Sequence, residues 1–433
     1  MLSVLKSRLG TIGWSAFIVF LAMRLGDVAN LVNKVILGRY LNVRDFGAVD
    51  PVLSVVAVLS LPVTVIFQIG MKSISRLHAV GEEDQRRALV QDLSKAAVVG
   101  AIVSVAAVYA LRPYLLDRLH LEGDIYIHLL AALFVMAWAS PLLSAVLQGE
   151  HRYGVLVLPS VVSGVGVLLA TWGLVVVLPM GLPGAIMSRV ISGLLAAFAL
   201  FVVMRGSYLG PRRSYGQEWG VIRRMIVPMA AYAAGTAALV HFDRLLVRNF
   251  LLDESGGYGA VVTFGSIPQY FLGALTFVVF PVAAGEHAKG GGLDRYRRAA
   301  AVAGMAVTGG CGVFFAVFGQ RLLSAWNPAF APYGDALWVY ALAMGMHGVI
   351  DLLVSIEMAR HRYGFLWLFV VPAAGYCCFL YAIRASLGIM PVVWAAVGVR
   401  AIVLACIWQF GMRSGSGDEP EDCAGDGGTG DRE

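Results

Sequence analysis

The chain has 433 residues, of which 59% are hydrophobic and only 14% charged, and its net charge is +6. Soluble domains carry about a quarter charged residues, so this composition excludes a soluble globular protein and gives no reason to expect a nucleic-acid partner. Helices of roughly 20 apolar residues cross a ~30 Å hydrocarbon core, and the polar breaks here are spaced for about twelve of them.

Met1–Gly10 is short and carries Lys6 and Arg8. The apolar stretch behind it is too long for a cleaved signal sequence and reads as a retained first span. Spans are expected near 12–37, 49–71, 95–111, 124–147, 154–178, 183–204, 224–250, 259–284, 299–319, 333–357, 363–383 and 389–411. Pro51, Pro62, Pro228 and Pro281 mark candidate kinks. With the N-terminus inside, inside segments hold 21 Lys and Arg and outside segments 7. This bias predicts an even number of spans and two cytoplasmic termini. Ser414–Glu433 holds seven acids and one Arg without an apolar run, which predicts a disordered acidic tail.

The first span contains Arg24, Asp27, Asn30, Asn33 and Lys34. Twelve Leu, Ile, Val and Phe residues between Phe17 and Leu37 contribute roughly 5 kcal/mol toward insertion, whereas three charges near mid-membrane cost about 8 kcal/mol. The polar face must therefore meet protein or water. At 100° per residue, Arg24, Asp27 and Lys34 share one stripe.

A repeat relates the two halves. His151-Arg152-Tyr153-Gly154 recurs as His361-Arg362-Tyr363-Gly364, His78-Ala79-Val80-Gly81 returns as His287-Ala288-Lys289-Gly290, and Arg86-Arg87 returns as Arg297-Arg298. The offset stays near 210, so the unit is six helices. Six is even, which predicts an all-α polytopic membrane protein with two six-helix lobes, 1–210 and 211–413, related by a pseudo-two-fold along the membrane normal. The same offset maps the first stripe onto Ala234, Ala237, His241, Arg244 and Arg248. Two cationic stripes on equivalent faces are expected to turn toward one central space and to bind an anionic ligand. The competing structural reading is that these charges pair inside the bundle, with Asp27 neutralising Arg24 or Lys34 and Asp243 pairing with a neighbouring helix.

His347 and Asp351, four apart on one helix face, suit either a coupling relay or a satisfied polar pair. Arg189 and Arg400, behind Pro183 and Pro391, either line the cavity or snorkel. Cys311, Cys377, Cys378, Cys406 and Cys423 have no metal-ligand spacing, and no phosphate-binding Gly-x-x-x-x-Gly-Lys-Ser/Thr loop exists. A transporter without metal, cofactor or enzymatic chemistry is therefore expected.

The run Val35-Ile-Leu-Gly-Arg-Tyr-Leu-Asn-Val-Arg-Asp-Phe-Gly47 resembles the first-loop signature of polysaccharide exporters and lipid-linked oligosaccharide flippases of the O-antigen type. Phe242-Asp-Arg-Leu-Leu-Val through Glu254-Ser-Gly-Gly-Tyr258 is similar to their seventh-helix signature, and Gln148-Gly-Glu-His-Arg-Tyr153 to their fourth-to-fifth-helix connection. The first loop departs from that pattern at Ala48-Val-Asp-Pro51, where the family usually continues apolar. These proteins belong to the multidrug/oligosaccharidyl-lipid/polysaccharide exporter superfamily. The resemblance implies a bacterial inner-membrane flippase for polysaccharide biosynthesis. It would move an undecaprenyl-diphosphate-linked oligosaccharide between leaflets by alternating access, with glycosyltransferases or a glycan polymerase as partners. On the residues, Arg24, Asp27, Lys34, His241, Arg244 and Arg248 are the expected substrate site. A cation-coupled multidrug antiporter of the same superfamily would favour an acidic or aromatic cavity. A polymerase subunit would need large carboxylate-bearing outer loops, and the loops here are short.

Overall fold

The computed structural model describes residues 25–150, 152–204, 219–273, 275–276, 294–359 and 364–413. Arg24, His151, the 287–290 and 361–363 parts of the repeat, Pro281 and the acidic tail lie outside the described residues. The described residues are almost all helical, with no strand among them. Among the described residues, helix falls within each of the twelve expected spans.

Helix α1 covers 25–40, followed by α2 (Val43–Leu59) and α3 (Leu61–Val80). Asn42 caps α2: its side-chain oxygen accepts from the Asp45 N–H at 2.7 Å, and Asp45 places its carboxylate in the first turn, where the helix dipole favours it. The α2–α3 pair bends by 54°. Ser60 sits at the break and Pro62 falls in the first turn of α3, where its missing N–H would have had no helical acceptor. Pro51 and Pro228 instead lie inside continuous helices.

The chain continues through α4 (Glu83–Ala110), α5 (Arg112–Leu119), α6 (Ile125–Gly149), α7 (Tyr153–Thr171) and α8 (Gly181–Met204). Then come α9 (Trp219–Phe250), α10 (Ser255–Gly265) and α11 over 267–273. The last four are α12 (Asp294–Trp326), α13 (Gly334–Ala359), α14 (Val370–Ala382) and α15 (Ile389–Arg413). Helices α4 and α12 begin earlier than the apolar pattern indicated, because their polar first turns carry Arg86 and Arg297 beyond the apolar stretch. The short α5 had no apolar signal. Eight described helices are long and apolar enough to cross a membrane, or nine with the bent α2–α3 pair.

One apolar core lies within the C-terminal half, around Leu239, Tyr340, Val354, Phe369 and Val403. A second, around Phe67, Leu89, Trp138 and Leu143, lies mostly within the N-terminal half. A third joins both halves through Leu37, Phe46, Leu130, Ala260, Phe330 and Leu337, at the end expected to face outside. Val98, Val99, Ile102 and Val103 on α4, and Val313, Phe314 and Val317 on α12, point outward and exposed, as apolar side chains against lipid tails do.

At the other end, Glu150 from the Gln-Gly-Glu-His-Arg motif is 5% exposed and receives the Arg86 guanidinium of α4. Arg86 also reaches Glu83, and Arg152 stands 3.6 Å from Glu150. That motif therefore fastens the end of α6 to α4. Glu150→Ala leaves the buried Arg86 short of a partner. It is expected to cost about 3 kcal/mol, read as a lower unfolding midpoint of the purified protein, with Glu150→Gln intermediate.

Candidate functional site

The two long signatures meet one another. Phe46 packs edge-on to Trp326 and beside Phe330, each with ring centroids 5.4 Å away. Gly47 lies so close to α10 that an added Cβ would stand 2.3 Å from Ser255 Oγ and 2.5 Å from the Gly256 nitrogen. From the opposite side, a Cβ on Gly256 would meet the Val43 carbonyl oxygen at 2.2 Å. Trp326 donates to the Val35 carbonyl at 2.8 Å, and Asn327 donates to the Gly38 carbonyl at 3.0 Å. Asp-Phe-Gly and Ser-Gly-Gly are thus two sides of one seam between the halves.

Arg248 belongs to this seam rather than to an open cavity. It is 2% exposed. Its guanidinium donates to the carbonyls of Leu119 at 2.9 Å, Arg44 at 2.8 Å and His120 at 3.4 Å, and to Ser255 Oγ at 3.2 Å. Its donors are engaged by backbone oxygens of α5 and α2. Arg248→Ala leaves buried carbonyls without a donor, each worth about 1–3 kcal/mol. A drop of about 3 kcal/mol in stability is expected, measured by thermal unfolding in detergent.

Deeper in, the charges of both stripes gather around α2. Lys34 Nζ on α1 lies 2.7 Å and 2.9 Å from the two carboxylate oxygens of Asp50 on α2. Arg244 of α9 and Arg189 of α8 act electrostatically on the same carboxylate. Arg189 donates to Asn30 on α1. His241 Nδ1 lies 3.0 Å from Ser54 Oγ on α2. Tyr270 on α11 is within the field of Arg244, Asp50, Asp27 and Arg189. Asp50 and Arg244 also line a small cavity with Gly47, Ser255 and Tyr258. The repeat-equivalent Lys34 and Arg244 thus approach one space. Lys34 takes Asp50 as its ion-pair partner, not the Asp27 that sequence proximity suggested. The described cations Lys34, Arg189 and Arg244 face the acids Asp27 and Asp50, so the positive surplus is smaller than the stripes alone implied. Asp50 was missed because it lies outside both stripes. Its position inside an apolar run, immediately before Pro51, was the available signal.

Behind this space the C-terminal half holds a second polar network. Asp243 is fully buried, accepts from the Tyr258 hydroxyl at 2.6 Å and from the Arg244 backbone N–H at 2.8 Å. Arg400, also fully buried, donates to the Ala396 carbonyl at 3.0 Å and to the Leu239 carbonyl; it does not snorkel. His347 Nε2 stands 3.9 Å from Asp351 Oδ2, beyond hydrogen-bond reach. The Tyr232 hydroxyl donates to Asp351 Oδ1 at 3.4 Å.

These features define an all-α polytopic membrane protein whose two halves meet around buried charges. No family model matches the sequence, and no curated protein does. The fold is that of solved MATE transporters of the MOP superfamily, the superfamily of the resemblance above. An inward-facing multidrug resistance MATE family transporter superposes at TM-score 0.73 and 11% identity, covering 93% of this chain and 98% of that one. An outward-facing multidrug resistance MATE family transporter gives 0.65 at 13% identity, covering 94% and 97%. A Vibrio cholerae MATE transporter gives 0.65 at 15% identity, covering 95% and 98%. Identities this low speak to fold alone.

Proposed function

We propose that this protein is an alternating-access exporter in the bacterial inner membrane, carrying an undecaprenyl-diphosphate-linked oligosaccharide from the inner to the outer leaflet. The observation that carries the reading is the convergence of Lys34, Arg189 and Arg244 on one space between the halves. A diphosphate adds counter-charge to the cations that Asp27 and Asp50 balance only in part. Arg offers planar paired donors to phosphate oxygens, and Lys a point charge. The glycan occupies the polar space while the polyprenyl chain stays in lipid, which avoids most of the cost of moving a polar headgroup through hydrocarbon. Asp27 and His241 line the same space as polar contacts for sugar hydroxyls. His347 and Asp351 are assigned the coupling step, which needs a rotamer change or a water to close their 3.9 Å gap before a proton passes.

A second reading, a cation-coupled multidrug antiporter, is favoured by Asp27 and Asp50, whose carboxylates suit a cationic drug. The solved relatives named as multidrug resistance transporters support it too. Reconstituted vesicles separate the two. Outward movement of a fluorescent lipid-diphosphate-linked sugar, without efflux of a cationic dye, is the expected result. Dye efflux alone would sink the flippase reading.

A further inference from the structure

Asp50 is a buried carboxylate held by both of its oxygens on Lys34, at 2.7 Å and 2.9 Å, with side chains 10% and 14% exposed. Arg244 and Arg189 bear on it from α9 and α8. A single small anion is therefore surrounded by the very cations that would hold a phosphate group. It sits in a deformable stretch of helix. Pro51 lacks the N–H that would close a helical bond to the Gly47 carbonyl, and at Gly47 α2 passes α10 with no room for a Cβ. Asp50 is thus one turn from the seam between the halves.

We propose that Asp50 is a tethered stand-in for the ligand's anionic group: it neutralises the cations while the space is empty, and an incoming diphosphate displaces it. This rests on the reading above that the space takes an anion. Displacement frees Lys34 and moves the α2 segment that carries Gly47, so occupancy is linked to the seam. A plain structural ion pair fastening α1 to α2 makes the opposite forecast, because breaking it weakens the fold and gains no affinity.

The test is the affinity of the full-length protein in nanodiscs for farnesyl diphosphate and for inorganic diphosphate. Asp50→Asn is expected to bind farnesyl diphosphate about tenfold more tightly than wild type, since a competing charge is gone. Asp50→Glu, which keeps the carboxylate, is expected to stay near wild type. A gain with both probes assigns recognition to the diphosphate itself, and a gain confined to the farnesyl probe adds a lipid contribution. Should Asp50→Asn not survive purification alone, recovery of monodisperse protein by added farnesyl diphosphate is the expected outcome. Failure of that rescue overturns the proposal, as does a folded Asp50→Asn with unchanged or weaker affinity. Arg244→Ala serves as the control. Binding equal to wild type there defeats the anion reading as a whole. Loss of binding there, with no gain in Asp50→Asn, defeats only the stand-in.

Discussion

Arg244→Ala is expected to reduce export of the lipid-linked glycan by about 100-fold while the protein still inserts and accumulates. The side chain is the C-terminal half's contribution to the charged space, one residue from the buried Asp243, whose Oδ1 accepts from the Arg244 backbone N–H at 2.8 Å. That contact holds the backbone of α9 at this residue, and the guanidinium lies in the field of Asp50 and Tyr340. A hydrogen bond to a charged partner contributes about 1.5–3 kcal/mol, and a paired Arg–phosphate contact supplies two in fixed geometry. Losing both leaves a deficit near 3 kcal/mol, or about a hundredfold in binding. Arg244→Lys keeps the charge without the planar pair and is expected to recover only part of the export. The cost to folding should be modest, since the α9 backbone and the Asp243–Tyr258 contact at 2.6 Å do not need the side chain. The measurement is export in cells lacking the native protein, normalised to membrane protein level. Normal export in Arg244→Ala would remove the charged space from the mechanism.

The helices were legible because long apolar runs alternate with short polar connections along the chain. Lys34 was singled out by helical spacing, since 100° per residue fixes which side chains share a face, and Arg244 by the offset that carries that stripe onto α9. Asp50 was not, because a partner on another helix leaves no periodic mark in its own segment. Arg248 carried the same signal as Arg244 one turn earlier. What separates them is the C-terminal end of α9, where backbone carbonyls of α5 and α2 converge on Arg248 and use its donors. That convergence depends on tertiary packing, as does the 54° bend between α2 and α3 at Ser60, which Pro62 foreshadowed. The three-residue polar motifs were readable as signatures, but their physical reason appears only when Gly47 is seen against Gly256.

Gly47→Val is expected to abolish transport by keeping the seam from closing. A Cβ at residue 47 would overlap Ser255 Oγ at 2.3 Å and, more decisively, the Gly256 backbone nitrogen at 2.5 Å. A rotamer change cannot relieve a clash between a Cβ and another helix's backbone, so α2 and α10 must move apart. Each half has an apolar core of its own, around Leu239 and Phe369 in one and Phe67 and Trp138 in the other. Separation at the seam is therefore cheaper than unfolding either half. A carrier that alternates access must close each end in turn, and one that cannot close this end completes no cycle. Gly47→Ala asks for a smaller displacement and is expected to keep a fraction of the activity. The measurement pairs transport with labelling. In a background with the five native cysteines replaced, Ser255→Cys is buried at 3% exposure in the native seam and should resist a membrane-impermeant maleimide. Adding Gly47→Val should open it to the reagent. Normal transport with Ser255→Cys still protected would show that the close crossing of α2 and α10 is incidental to the cycle.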